Sequence, residues 1–204
     1  MQHRSQKDLL QRAKEIIRAE SQAVQLLAQQ LDENLEKVVE ILAGCRGHVL
    51  VTGTGTSRFV AGRLSHLLCC CGIPSLFINA ADGLHGGAGA IRPADVVLII
   101  SKGGRSGEIN RFAEIARSRG ARILALSENV DSPLARISDV VFHVKALEGV
   151  DPFGMIATGS SLVNCAAGDV LCILLLERTG YTKEAFAETH PGGAVGEQLL
   201  EDDA

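Results

Sequence analysis

The sequence predicts an α/β fold: a doubly wound, five-stranded parallel sheet flanked by helices, preceded by N-terminal helices. Three observations carry this reading. Short apolar runs alternate with helical patterns along most of the chain. The runs near 48–52, 96–101 and 122–127 are apolar at most positions, the pattern of parallel strands covered on both faces. Two of these runs end in glycines and hydroxyls that lead straight into a helical pattern.

Taken in order, residues 5–43 read as helix. Leu9/Leu10, Ala13, Ile16/Ile17, Val24, Leu27 and Leu31 recur at three- and four-residue steps. Asp32 is placed to cap a second helix, Glu33–Ala43, which carries Leu35, Val38/Val39 and Leu42. These two stripes must be buried, either over the same domain or against a partner subunit; a mixture of both is expected. Strands follow near 48–52, 75–78, 96–101, 122–127 and 140–144. Helices are expected near 57–71, 106–119, 132–137, 156–178, 182–189 and 194–200. Gly72 and Gly120 each follow a helical run, where helices stop. Asp131-Ser132-Pro133 begins a short helix with proline in its first turn. The whole chain, 1–204, reads as one domain, with a helical segment at 1–43 and the α/β core at 44–204.

Composition narrows the function classes. The chain has 204 residues, 46% hydrophobic, enough for a sizeable core. A net charge of −4 and an aromatic content of 3% give neither a basic footprint nor stacking platforms, so nucleic acid is not expected as a partner. The start, MQHRSQKDLL, is polar and lacks a signal-peptide apolar region. The longest apolar run, Val170–Leu176, is too short to span a bilayer. A cytoplasmic location and no membrane association are therefore expected. Of the six cysteines, Cys69, Cys70 and Cys71 are adjacent, while Cys165 and Cys172 lie seven apart on one helical face. No C-x-x-C occurs, so no metal site is assigned, and the cysteines read as small apolar side chains.

Three loops carry candidate chemistry. Gly53-Thr54-Gly55-Thr56-Ser57 follows the first strand; Gly53 and Gly55 let backbone approach an anion, and Thr56 and Ser57 offer hydroxyls. A dinucleotide fingerprint requires a third glycine where Arg58 stands, and an acid where Asn79 or Ala80 falls; a P-loop requires Gly-Lys-Ser/Thr. The second loop, Ser101–Glu108, offers Ser101, Gly103, Ser106, Lys102 and Arg105, with Ser106 placed to cap the next helix and Glu108 in its first turn. Glu108 is either a surface acid favoured by the helix dipole or a carboxylate facing a ligand. The third cluster, Thr158, Ser160 and Ser161, opens a long apolar helix whose early N–H groups lack intrahelical partners. Together the three form a cradle for a phosphate. His85 and His190 stand in Gly-rich loops and are candidate proton shuttles. Glu148 is a candidate base beyond the last strand, with Asp151 as its rival, although Asp before Pro is common in turns.

These residues resemble the sugar isomerase (SIS) domain, and within it the arabinose-5-phosphate isomerase branch of the KpsF/GutQ type. The resemblance covers about residues 35–200 and rests on motifs taken jointly. They are Gly53–Ser57, Leu84-His85-Gly86 with Gly89, Ile100-Ser101 through Glu108, Thr158–Ser161 leading to Gly168-Asp169, and His190-Pro191-Gly192-Gly193-Ala194. It implies a five-stranded parallel sheet in a homodimer or homotetramer, with no cofactor and a small-molecule sugar phosphate held by the Ser/Thr loops. It further implies that a glutamate, Glu108 or Glu148, moves a proton between C1 and C2, and that a histidine, His190 or His85, opens the sugar ring. Loops from neighbouring subunits complete such sites. The expected activity is a phosphosugar aldose–ketose isomerase; the alternative is a non-catalytic sugar-phosphate sensor. Two departures stand out. The branch usually has a lysine where this chain has Thr56, and it usually carries a tandem CBS pair after the SIS domain, whereas this chain ends at Ala204.

Overall fold

The structure, a computed structural model, describes residues 6–147 and 151–202. Two helices lead, α1 (Gln6–Leu27) and α2 (Glu33–Ala43). The alternation then runs β1 (Val49–Gly53), α3 (Ser57–Cys70), β2 (Ser75–Phe77), α4 (Ala80–Leu84), a 3-10 turn (Gly87–Ala90), β3 (Val96–Ile100), α5 (Gly107–Ser118), β4 (Arg122–Ser127), α6 (Pro133–Ile137) and β5 (Val140–His143). Helices α7 (Thr158–Thr179), α8 (Lys183–Thr189) and α9 (Gly193–Asp202) close the chain. All strand pairs are parallel, in the order β2-β1-β3-β4-β5.

That order places β1 beside β3, where the chain changes the side of the sheet on which it winds. The alternation of side chains along each strand separates two cores. Val49, Val51, Leu98, Ile100, Leu124 and Phe142 face α1, α2, α3 and α7. Leu50, Val97, Ile99, Ile123 and Ala125 face α4, α5 and α6. β1 and β3 are buried at every residue, as their unbroken apolar runs require.

Local chemistry accounts for the element ends. Asp32 caps α2, its side chain accepting from the Asn34 N–H at 2.9 Å. Ser132 caps α6 from the Ala135 N–H at 3.1 Å, with Pro133 in the first turn. Asn79 caps α4, a five-residue helix too short and glycine-bearing to show the helical periodicity that marks the others in the sequence.

Helix α7 has the length and composition of a membrane-crossing helix. Here it is a core helix. It buries Val163, Ala167, Leu171 and Leu175 and packs against α3, α1 and α2. Two exposed ion pairs fasten it: Arg63 to Asp169 at 2.6 Å, from α3, and Arg178 to Glu40 at 2.6 Å, from α2. Helix α1 divides its stripe. Ala23 and Leu27 are buried against the body, whereas Leu9, Leu10, Ile17 and Val24 remain exposed.

Candidate active site

The carboxyl ends of β1 and β3 lie side by side at the change in winding, the place where doubly wound sheets bind ligands. Each strand runs into a loop of glycines and hydroxyls there. Gly53 ends β1 under crowding: a Cβ would stand 2.9 Å from the Ser57 carbonyl and 3.0 Å from the Ile100 carbonyl oxygen. Gly55, with φ +56°, turns the chain into α3. Thr56 is the residue at the N-cap and makes no side-chain capping bond; Ser57 lies inside the helix as its first residue. Both hydroxyls thus stand at an open helix N-terminus rather than closing it. Arg58, which excludes the dinucleotide fingerprint, lies over the Phe59 ring, 4.4 Å from its centroid.

The loop after β3 is held from below. Ser101 is buried, and its Oγ accepts from the Gly104 N–H at 3.2 Å, so this hydroxyl shapes the turn. Gly104 takes φ +60° and lies against Ser132. The Ser127 hydroxyl donates to the Lys102 carbonyl at 3.2 Å. Above that base, Gly103 is exposed and Ser106 stands at the N-cap of α5 without a capping bond, so its hydroxyl is left to the cleft. The first N–H groups of α5 point to the same side.

A hydrogen bond joins the two loops. Thr54 Oγ1 donates to Glu108 Oε1 at 3.0 Å, across the switch point. Glu108 is therefore turned into the cleft between β1 and β3. This selects between the two readings of its position in the sequence. Thr54 is a residue the motif reading passes over; a hydroxyl between the two glycines of Gly53-Thr54-Gly55 is the signal for it.

The third cluster approaches from α7. Lys102 and Ser160 line one small cavity of about 50 Å³, together with Leu147, Gly154, Met155, Ile156 and Ala157. The N-terminus of α7 thus borders the β3 loop. Ser161 gives its hydroxyl to the Ala157 carbonyl, and Thr158 is exposed. Lys102 Nζ is 3.9 Å from Glu128 Oε2. Asp151 organises the approach to α7: its carboxylate accepts from the N–H groups of Phe153, Met155 and Ile156 at 2.9, 3.3 and 3.0 Å. Burial works to raise its pKa, yet these N–H groups together hold it below the ordinary value. It is a turn organiser. Glu148 lies outside the described residues.

The histidines do not join this cluster within one chain. His190 caps α8 at the opposite pole of the sheet. Its ring stacks on Phe186 with centroids 3.7 Å apart, and its Nε2 lies 3.4 Å from Cys70 Sγ, at the last turn of α3. Helix α3 has 14 residues, so Cys70 and Ser57 are separated by about 20 Å along its axis. Nδ1 of His190 faces the Phe186 carbonyl oxygen at 2.9 Å, which only accepts, so Nδ1 carries the proton and Nε2 the lone pair. His85 is exposed at the end of α4, next to the Gly86 turn. Among the described residues, no group of three or more His, Cys, Asp and Glu side chains is placed to hold a metal ion.

Comparison with known proteins agrees with this architecture. Residues 41–174 match the SIS domain family. Arabinose 5-phosphate isomerase KpsF of Escherichia coli is 33% identical over 193 residues, covering 94% of this chain and 59% of that protein. Arabinose 5-phosphate isomerase KdsD of Pseudomonas aeruginosa is 34% identical over 193 residues, 95% of this chain and again 59% of the relative. The chain therefore spans 59% of the length of these two curated relatives. Among solved structures, a proposed sugar-phosphate isomerase from Listeria monocytogenes superposes with a TM-score of 0.90 at 32% identity, covering 93% of this chain and all of that one. An Escherichia coli CFT073 protein solved in complex with a sugar-phosphate ligand gives a TM-score of 0.88 at 26% identity, over 92% of this chain and all of that one. A five-stranded parallel sheet with Gly/Ser loops gathered at its switch point, matched by a family over most of its length, leads to one conclusion: the chain belongs to the SIS domain family.

Proposed function

We propose that the protein is a phosphosugar aldose–ketose isomerase of the arabinose 5-phosphate type. The observation that supports it most is Glu108, a carboxylate fixed by Thr54 between two anion-cradling loops. A phosphate seated on the open N-termini of α3 and α5, near Gly53, Gly55, Thr56, Ser57, Gly103 and Ser106, meets unpaired N–H groups and hydroxyls. Ser160 and the α7 N-terminus form the third wall, with Thr158 and Ser161 beside them; Ser101 acts by shaping the turn. The sugar then extends toward Glu108.

Isomerisation moves one proton. The carboxylate takes the proton from C2 of the open aldose, the C1 carbonyl becomes an enediol, and the same carboxyl returns a proton to C1 as the C2 hydroxyl becomes the ketone. The reaction is internally balanced and calls on no redox cofactor. In this reading Glu108 is the base, with Glu148 the alternative, and a histidine, His190 or His85, protonates the ring oxygen as the sugar opens.

The position of His190, at the far pole of its own chain, supports a site shared between subunits. The exposed face of α1, with Leu9, Leu10, Ile17 and Val24, is an apolar surface suited to burial in such a homo-oligomer, a dimer or tetramer. The ligand class and the oligomer fit a protein working on small soluble metabolites in the cytoplasm.

A sensor without catalysis is the second reading, and Thr56, in place of the branch's lysine, is what favours it. Turnover separates the two: the isomerase reading predicts interconversion of arabinose 5-phosphate and its ketose with exchange of the C2 proton. Saturable binding without exchange would contradict it.

A further inference from the structure

We propose that Thr54 is a positioning residue, whose hydroxyl clamps Oε1 of Glu108 so that Oε2 alone is presented to the substrate. This deepens the isomerase reading and rests on it.

The clamp follows from how the loop is built. Gly53 is pressed between the Ser57 carbonyl and the Ile100 carbonyl oxygen, so the end of β1 has no freedom to shift toward β3. Gly55, in the left-handed region, turns the chain immediately afterwards. Thr54 is thereby held at one height, half-buried, opposite the first turn of α5. Threonine is branched at Cβ, which restricts χ1 and with it the direction of the hydroxyl. The distance to Glu108 Oε1 is 3.0 Å. An ionised carboxylate only accepts, so the hydroxyl is the donor.

A glutamate has three rotatable bonds, and a free one at a helix start samples several directions. A proton transfer between neighbouring carbons needs the accepting oxygen held over both. One bond from a fixed hydroxyl removes most of that freedom. It leaves the second oxygen, Oε2, to exchange the proton. It also ties the loop after β1 to the helix that carries the base, so that a phosphate settling on the first loop acts on the position of the second. Thr54 touches neither C1 nor C2 and acts through Glu108.

The test compares Thr54→Val, which keeps shape and removes the hydroxyl, with Thr54→Ser, which keeps the hydroxyl. Steady-state isomerisation of arabinose 5-phosphate is measured for each, with kcat and KM separated. Thr54→Val is expected to lower kcat by about 10- to 100-fold, the usual worth of one hydrogen bond to a charged group, with KM changed less than about threefold. Thr54→Ser is expected to restore most of kcat. An unchanged kcat in Thr54→Val, a rise confined to KM, or a serine variant as slow as valine overturns the role. Urea unfolding of Thr54→Val, Glu108→Gln and the double variant provides the second measurement. The bond predicts coupling: the double variant should lose less than the two single losses combined, by about fivefold or more in the folding constant. Additive losses overturn it. A wild-type chain that shows the coupling but no turnover contradicts the isomerase reading and this role with it; turnover with additive variants contradicts this role alone.

Discussion

Gly104→Ala should be among the costly small substitutions in the protein, while Gly103→Ala, one residue away, should be nearly silent. Gly104 has φ +60°. Placing an L-residue in that region costs about 1–2 kcal/mol. The added methyl would lie 2.1 Å from Ser132 Oγ, 2.6 Å from Ser132 Cβ and 3.3 Å from Leu134 Cβ. A Cβ cannot rotate away, so α6 must retreat. Ser132 is fully buried and caps α6 through the Ala135 N–H, and the Leu134 N–H donates to the Gly104 carbonyl at 3.2 Å. Loss of the cap adds about 1–2 kcal/mol. The sum is about 2–4 kcal/mol. At Gly103 the same methyl meets nothing within 4 Å and the backbone is not left-handed, so the change should stay below about 0.5 kcal/mol. Urea unfolding followed by circular dichroism measures both. Because the β3 loop rests on this contact, Gly104→Ala should also weaken phosphosugar affinity. Equal stabilities for the two variants would refute the reasoning.

Two further predictions concern the buried thiols and the shared site. Burial, with the Cys71 thiol next to it, pushes the Cys172 thiol well above its ordinary value, and burial raises Cys71, Cys165 and Cys45 as well. The native state thus keeps protons that the unfolded chain releases above about pH 8.5. Stability should be full below that pH and fall by roughly 1.4 kcal/mol per pH unit for each such thiol above it; denaturation at about pH 7.5 and about pH 10, on either side of the unfolded thiol's pKa, reads the slope, and Cys172→Ala should flatten it. If Glu108 and His190 meet only across subunits, Glu108→Gln and His190→Ala preparations are each inactive, but co-refolding them regains about a quarter of wild-type activity through hybrid dimers carrying one intact site. No recovery would place both residues in one subunit's site.

Much of this architecture was legible in the residues, for physical reasons that also mark the limits. The runs at β1, β3 and β4 read as buried parallel strands because side chains on both faces are apolar, and that is what parallel pairing under two helical layers demands. Asp32 and Ser132 announced their helices because capping is local chemistry. Helix α4 was hidden, since AADGL is too short for periodicity and contains glycine. In the site, glycines and hydroxyls at strand ends pointed to an anion cradle, but sequence did not divide the hydroxyls by task. Ser101 and Ser161 are spent on backbone groups of their own loops, while Ser106 and Thr56 are not. That division depends on where each loop rests, which is tertiary information. The same holds for His190: its Gly-rich motif signals function, yet only the packing of α8 on α3 places it at the pole opposite Ser57.

The account turns on Glu108 as a base facing a bound sugar phosphate. Arabinose 5-phosphate in deuterated water with the wild-type protein, followed by proton NMR, tests it most directly. The account predicts ketose formation with deuterium entering at the carbons that exchange, and loss of that signal by about three orders of magnitude in Glu108→Gln, with binding retained. Wild-type exchange that persists undiminished in Glu108→Gln, or binding with no exchange at all, would contradict it.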